Sequence, residues 1–126
     1  MVNKYDSIMI WSENWRELAK WYQDMFHLEV LNELNLPDDT GVTFNIGNGE
    51  SVFWVGYHDQ VHGQAKDPYR IMVGFNVDSV TRTYAEMKAK GAEFIAAPKV
   101  SPTGDYMVAT VKDPEGNIIQ LFGDLE

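Results

Sequence analysis

Apolar side chains recur along the chain in two rhythms. Ser7-Ile8-Met9-Ile10-Trp11 is a short β-forming run, and from Trp15 the apolar positions Leu18, Ala19, Tyr22, Met25 and Phe26 follow at three- and four-residue steps. That spacing collects them on one face of a helix and leaves Arg16, Glu17, Lys20, Gln23 and Asp24 on the other. Ser12 is the expected N-cap, with Glu13 in the first turn, and His27 is expected as a surface or capping residue after the helix. His27 to Asn35 and Val42 to Ile46 read as strands on either side of a Leu36-Pro37-Asp38-Asp39 turn. Gly47-Asn48-Gly49 tolerates the positive φ of a tight hairpin, so Ser51 to Tyr57 should return antiparallel, with Glu50 solvated beside the turn.

A polar stretch from His58 to Pro68, broken by Gly63 and Pro68, connects this block to a second one. There Ile71 to Val77 reads as a strand, Asp78-Ser79 as a helix entry, and Val80, Tyr84 and Met87 as an apolar stripe that Gly91 ends. Phe94 to Val100, Tyr106 to Val111 and Ile118 to Phe122 supply three more strands, the last two joined by the turn Asp113-Pro114-Glu115-Gly116-Asn117. A shift of 65 residues lays Ile8 on Val73, Ile10 on Phe75, Trp15 on Val80, Ala19 on Tyr84 and Tyr22 on Met87. The chain is therefore expected to be a duplicated βαβββ unit with an α+β fold: module one at about 1–58, a linker at about 59–68 and module two at about 69–126. Each half-sheet would have one face under its helix and the other free to line a cavity.

Composition narrows the function. The 126 residues carry 10 Lys+Arg against 19 Asp+Glu, a net charge of −9, which opposes a nucleic-acid partner. No cysteine is present, which removes thiolate metal sites and a Cys nucleophile and makes the cytoplasm the default compartment. No run of about 18 apolar residues suggests a membrane span, and the first residues do not resemble a secretory leader.

Two βαβββ halves, Trp21-Tyr22 in the first helix, Lys88-Ala89-Lys90-Gly91-Ala92-Glu93-Phe94 at the end of the second, and Asp113-Pro114-Glu115-Gly116-Asn117-Ile118-Ile119-Gln120-Leu121 before and in the last strand resemble the vicinal oxygen chelate superfamily. It includes glyoxalase I, extradiol dioxygenases, fosfomycin-modifying enzymes and bleomycin-binding resistance proteins. The resemblance implies one domain over 1–126 whose two modules form a curved eight-stranded mixed sheet around a cup, and a homodimer. In the family's metalloenzymes, side chains from the first and last strand of each half hold a divalent cation. The matching positions here are Ser7, Met72, Phe53 or Trp54, and Gln120, of which only Gln120 is a credible ligand. No metal or other cofactor and no catalytic residue is therefore expected.

Strand alternation points Ser7, Met9 and Trp11 into the cup, with Met72, Gly74 and Asn76 from the fifth strand and Ile118, Gln120 and Phe122 from the eighth. Trp54 or Phe53, Tyr57 and Tyr106 add aromatic walls. The expected ligand-binding set is Met9, Trp11, Trp54, Tyr57, Met72, Asn76, Tyr106 and Gln120, suited to a small cationic or aromatic molecule through stacking and cation–π attraction. His58-Asp59-Gln60-Val61-His62 has helical metal-ligand spacing, but nearby Gly and Pro favour a solvated loop at the cup mouth. Gln120 has a plain reading as a buried amide bonded to backbone, and Trp15 and Tyr22 read as core. The leading expectation is metal-free small-molecule binding. The alternatives are a metal-dependent lyase, isomerase or dioxygenase of the same superfamily, and a protein-interaction module.

Overall fold

In the computed structural model, which describes residues 1–126 apart from Asn48 and Glu50, the chain divides into two compact units, Met1–Gly63 and Gln64–Glu126. The expected solvation of Glu50 and the middle of the Gly47-Asn48-Gly49 turn lie outside the described residues. Each unit runs strand, helix, three strands: β1 (Ser7–Trp11), α1 (Trp15–Phe26), β2 (Glu29–Leu36), β3 (Asp39–Ile46) and β4 (Ser51–Gly56), then β5 (Val73–Asn76), α2 (Val80–Ala89), β6 (Glu93–Val100), β7 (Met107–Lys112) and β8 (Ile118–Gly123). The eight strands hydrogen-bond as two four-stranded mixed sheets, ordered β1-β4-β3-β2 and β5-β8-β7-β6. In both, the first strand pairs parallel with the last and the remaining pairs are antiparallel.

The first unit's core follows from register. Ile8 pairs with Phe53, Ile10 with Val55, and these with Phe44 and Val42, so all six side chains share one face of the sheet. Onto that face α1 lays Trp15, Leu18, Ala19, Tyr22 and Met25, and the Tyr22 ring meets Phe53 edge-on at 4.9 Å. Tyr22, Phe53 and Val55 have no exposed surface, and burying each such side chain contributes about 1.5–3 kcal/mol. The second unit repeats the scheme with Val80 and Met87 of α2 fully buried and with Ala109, Val111, Ile119 and Leu121 in register in the sheet.

The helix ends separate the two units. Ser79 caps α2 as its sequence suggests, accepting from the Arg82 N–H at 3.1 Å. Gly91, at φ 91°, closes it: the Gly91 N–H donates to the Lys88 carbonyl and the Ala92 N–H to that of Met87. At α1 the expectation fails. The N-cap is Asn14, two residues beyond Ser12, and no side chain caps it. Ser12 is instead buried before the helix, its hydroxyl accepting from the Asn14 N–H at 2.8 Å, a local turn that competes with capping. Glu13 therefore precedes the helix and Glu17 is the first-turn acid. His27 is the C-cap, in the left-handed region at φ 54°.

Among the described residues no helix is long and apolar enough to cross a membrane.

Candidate functional site

The sheet face that α1 does not cover is built from alternate positions of β1, β4 and β3. Met9 pairs with Trp54 and Trp54 with Thr43, while Trp11 pairs with Gly56 and Gly56 with Gly41. This register resolves the ambiguous pair: Phe53 belongs to the core under the helix and Trp54 to the opposite face. Two positions without a side chain let the indole lie along the sheet. A Cβ on Gly41 would stand 2.5 Å from Trp54 Cζ2, and one on Gly56 2.5 Å from Nε1. Trp54 is only 8% exposed, and its buried indole N–H has no acceptor among the described residues. Trp11 meets it edge-on at 5.9 Å, and His58 meets Trp11 edge-on at 5.4 Å. Met9 stands exposed beside them.

At the end of this face the β2–β3 turn and the segment after β4 enclose a cavity of about 190 Å³. Its lining joins Trp11, Tyr57 and His58 to Asp38, Asp39 and Asp59. Among the described residues no lysine or arginine is ion-paired with these three carboxylates; Asp59 has only His58, at 3.6 Å. The sequence reading places Asp38 and Asp39 in a turn and Asp59 in a solvated loop, and counts none of them in the ligand-binding set. What brings them in is a strand β3 that begins at Asp39, earlier than the expected Val42, leaving a two-residue hairpin loop.

The second unit's uncovered face is sparser. Gln120 lies between Gly74 and Thr110, and Asn76 pairs with Phe122, which pairs with Val108. Phe122 leans over Gly74, where a Cβ would stand 2.9 Å from its ring, and Tyr106 meets Phe122 edge-on at 5.8 Å. Gln120 is half-buried and donates to the Thr110 hydroxyl at 3.5 Å, so among the described residues it is neither fully buried nor bonded to backbone as the plain reading expects. Met72 and Tyr106 fall just outside their strands, since β5 begins at Val73 and β7 at Met107; both, like Asn76, are exposed.

The His58–His62 segment is not helical, so its two imidazoles do not share a helix face. The His58 ring nitrogen accepts from the Gln60 N–H, while His62 lies 3.5 Å from Glu13. Glu13 also accepts from the Gly63 N–H at 2.9 Å, and that bond, then His62, holds its carboxyl below the ordinary carboxylate range. Within the second unit, Gln64 donates to the Pro114 carbonyl and Ala65 to that of Glu115.

The positions that the resemblance matches to the metalloenzymes' ligands carry Ser7, Trp54, Met72 and Gln120: a hydroxyl, an indole, a thioether and an amide. This donor set does not fit a divalent cation that wants imidazole and carboxylate ligands. Among the described residues no group of three or more His, Asp or Glu is placed to bind one.

The family model of the Glyoxalase/Bleomycin resistance protein/Dioxygenase superfamily matches residues 4–121. A curated relative, the probable chloroplastic lactoylglutathione lyase of Arabidopsis thaliana, is 26% identical over 110 residues, 82% of this chain and 31% of the relative. The chain thus spans about a third of that protein's length. A superfamily member from Sphaerobacter thermophilus superposes with a TM-score of 0.79 at 17% identity, covering 98% of both chains. An antibiotic binding protein from a Streptomyces species superposes with a TM-score of 0.78 at 14% identity, again over 98% of both. These structural likenesses speak to fold.

Proposed function

Because the chain belongs to the glyoxalase/bleomycin resistance/dioxygenase superfamily, we propose that it works as one of the superfamily's metal-free binders, taking up a small cationic or aromatic molecule. The observation that carries this reading is the cavity in which Trp11 and Tyr57 face Asp38, Asp39 and Asp59. Aromatic faces attract an organic cation through their quadrupole, and Asp38 and Asp39, ion-paired with no lysine or arginine among the described residues, supply the countercharge. Trp54, edge-on to Trp11 at 5.9 Å, backs the aromatic wall. Met9, Trp11, Trp54 and Tyr57 form the ligand face of the first unit, and Met72, Asn76, Tyr106 and Gln120 form that of the second, each taken by itself. The antibiotic binding neighbour is in keeping with sequestration of a drug-like molecule without chemistry. A cytoplasmic homodimer completes the proposal.

The rival reading, a metal-dependent lyase, isomerase or dioxygenase, draws on the name of the lactoylglutathione lyase relative. The donor set at the four matched positions speaks against it. Titration with benzyltrimethylammonium and with its neutral analogue neopentylbenzene, followed by tryptophan fluorescence, separates the readings. The cation should bind more tightly, and Trp11→Ala should weaken it by about tenfold, as loss of one desolvated cation–π contact implies. Equal response to both probes would remove the cation, and stoichiometric Zn, Ni, Fe or Mn in the purified protein would overturn the metal-free reading.

A further inference from the structure

The opposite side of the first sheet carries a second, separate concavity. Helix α1 packs on β4 and β3, but β2 is an edge strand and nearly all of its residues are exposed. The flank of α1 and this uncovered strand enclose a groove of about 300 Å³, at the lower end of small-molecule sites. Its floor is apolar: Trp15 and Ala19 from α1, Val42 and Phe44 from β3, and Val30, which pairs with Phe44. Its rim is charged. Arg16, Lys20 and Gln23 lie at positions i, i+4 and i+7 on the helix flank, Arg16 against Glu33 and Lys20 against Asp24, so two cations and two carboxylates meet at this rim.

We propose that this groove binds a small amphipathic monoanion, an apolar body of roughly ten heavy atoms bearing one carboxylate. The two cations are already oriented. The Arg16 guanidinium stands 4.3 Å over the Trp15 ring and donates to Glu33 at 3.0 Å, while Lys20 is held by Asp24 at 2.8 Å. One Arg16 donor is used there, so the planar fork retains N–H groups for a ligand carboxylate. Both ion pairs are exposed, so exchanging one carboxylate for another costs little. Glu33 and, beside Lys20, Asp24 already counter the two cations, so the rim selects a ligand whose own carboxylate replaces one of them, and the apolar floor disfavours inorganic phosphate.

The test uses the whole chain, labelled for amide NMR and titrated with octanoate, 1-octanol and octyltrimethylammonium. Octanoate should bind most tightly, with shifts centred on Ala19, Val30 and Val42. Arg16→Gln combined with Lys20→Gln should weaken octanoate by about tenfold or more and leave 1-octanol unchanged, the signature of lost charge-assisted bonds. Val30→Glu, at an exposed edge position that tolerates substitution, should abolish octanoate binding without altering the remaining amide spectrum. Equal binding of octanoate and 1-octanol, shifts confined to Met9, Trp54 and Tyr57, or octanoate affinity unchanged in either variant would overturn the assignment.

Discussion

The Trp54 indole occupies the space that a side chain on Gly56 would need: a Cβ there would stand 2.5 Å from Nε1 and 2.6 Å from the Thr40 carbonyl oxygen. The second of these neighbours is backbone and cannot rotate away. Gly56→Ala should therefore displace both the indole and the β3–β4 pairing, costing about 1–3 kcal/mol. Urea denaturation measures the loss. In the Trp54→Leu background the cost should shrink but not vanish, because the Thr40 contact remains. An additive pair of substitutions would show that the indole does not rest on Gly56.

His27 ends α1 in the left-handed region, at φ 54°, where a side chain is disfavoured and glycine is not. His27→Gly should leave stability unchanged or raise it by up to about 1 kcal/mol, since relief of strain outweighs the added freedom of the unfolded chain. His27→Val should lower it by about 1–2 kcal/mol, because a β-branched residue is least tolerant there. Thermal unfolding of the two variants side by side gives the sign. A more stable valine variant would mean that the His27 side chain itself opposes folding.

Much of this architecture is legible in the sequence because it rests on periodicity. The stripes of α1 and α2, the 65-residue repeat and the Asp113–Asn117 turn depend on neighbours in the chain, and Asp113 does accept from the N–H groups of Glu115 and Asn117, each at 2.9 Å. Errors arise where two local solutions compete, as at Ser12, whose hydroxyl serves a turn two residues ahead of the true cap. The choice between Phe53 and Trp54 is settled by cross-strand register with Phe44 and Thr43, to which the chain-local pattern of β4 is blind. The three aspartates around Trp11 stay hidden for a related reason: only the fold brings the β2–β3 turn beside the segment after β4.

The Asp113 carboxylate is buried and joins Glu115, Asn117 and the Asn117 amide in one turn, with Gly116 at φ 85°. Asp113→Ala leaves those donors without an acceptor in a poorly hydrated place, so a loss of about 2–4 kcal/mol is expected. Asp113→Asn, which keeps one acceptor oxygen, should cost less. Chemical denaturation of both variants tests the ordering, and equal losses would point to the charge and not the acceptors.

Glu13 supplies the pH dependence of the segment that ends the first unit. The Gly63 N–H and His62 lower its pKa, so the folded state favours the ionised form. A depressed carboxyl contributes stability above its unfolded pKa and loses it as pH falls through the folded value, which places the window below the ordinary carboxylate range near pH 4. The Gly63 amide proton should therefore move upfield on acidification, with a midpoint below that of an unperturbed glutamate. In Glu13→Gln the titration should disappear. A Gly63 amide whose response to acid persists in Glu13→Gln would show that another group controls it.

The proposed organic-cation site makes a separate electrostatic prediction. Asp38, Asp39 and Asp59 are exposed, so their attraction for a bound cation is screened over a Debye length of about 10 Å at 0.1 M salt. Binding of benzyltrimethylammonium should weaken as salt rises, and Asp38→Asn with Asp39→Asn should flatten that dependence while lowering low-salt affinity by about three- to tenfold. Trp11→Ala, by contrast, should weaken binding at every salt concentration without changing the slope, because the ring's quadrupole acts at contact distance. Parallel salt titrations of the three proteins resolve the two contributions. A salt slope unchanged by removing both carboxylates would assign the cation's recognition to the aromatic walls alone.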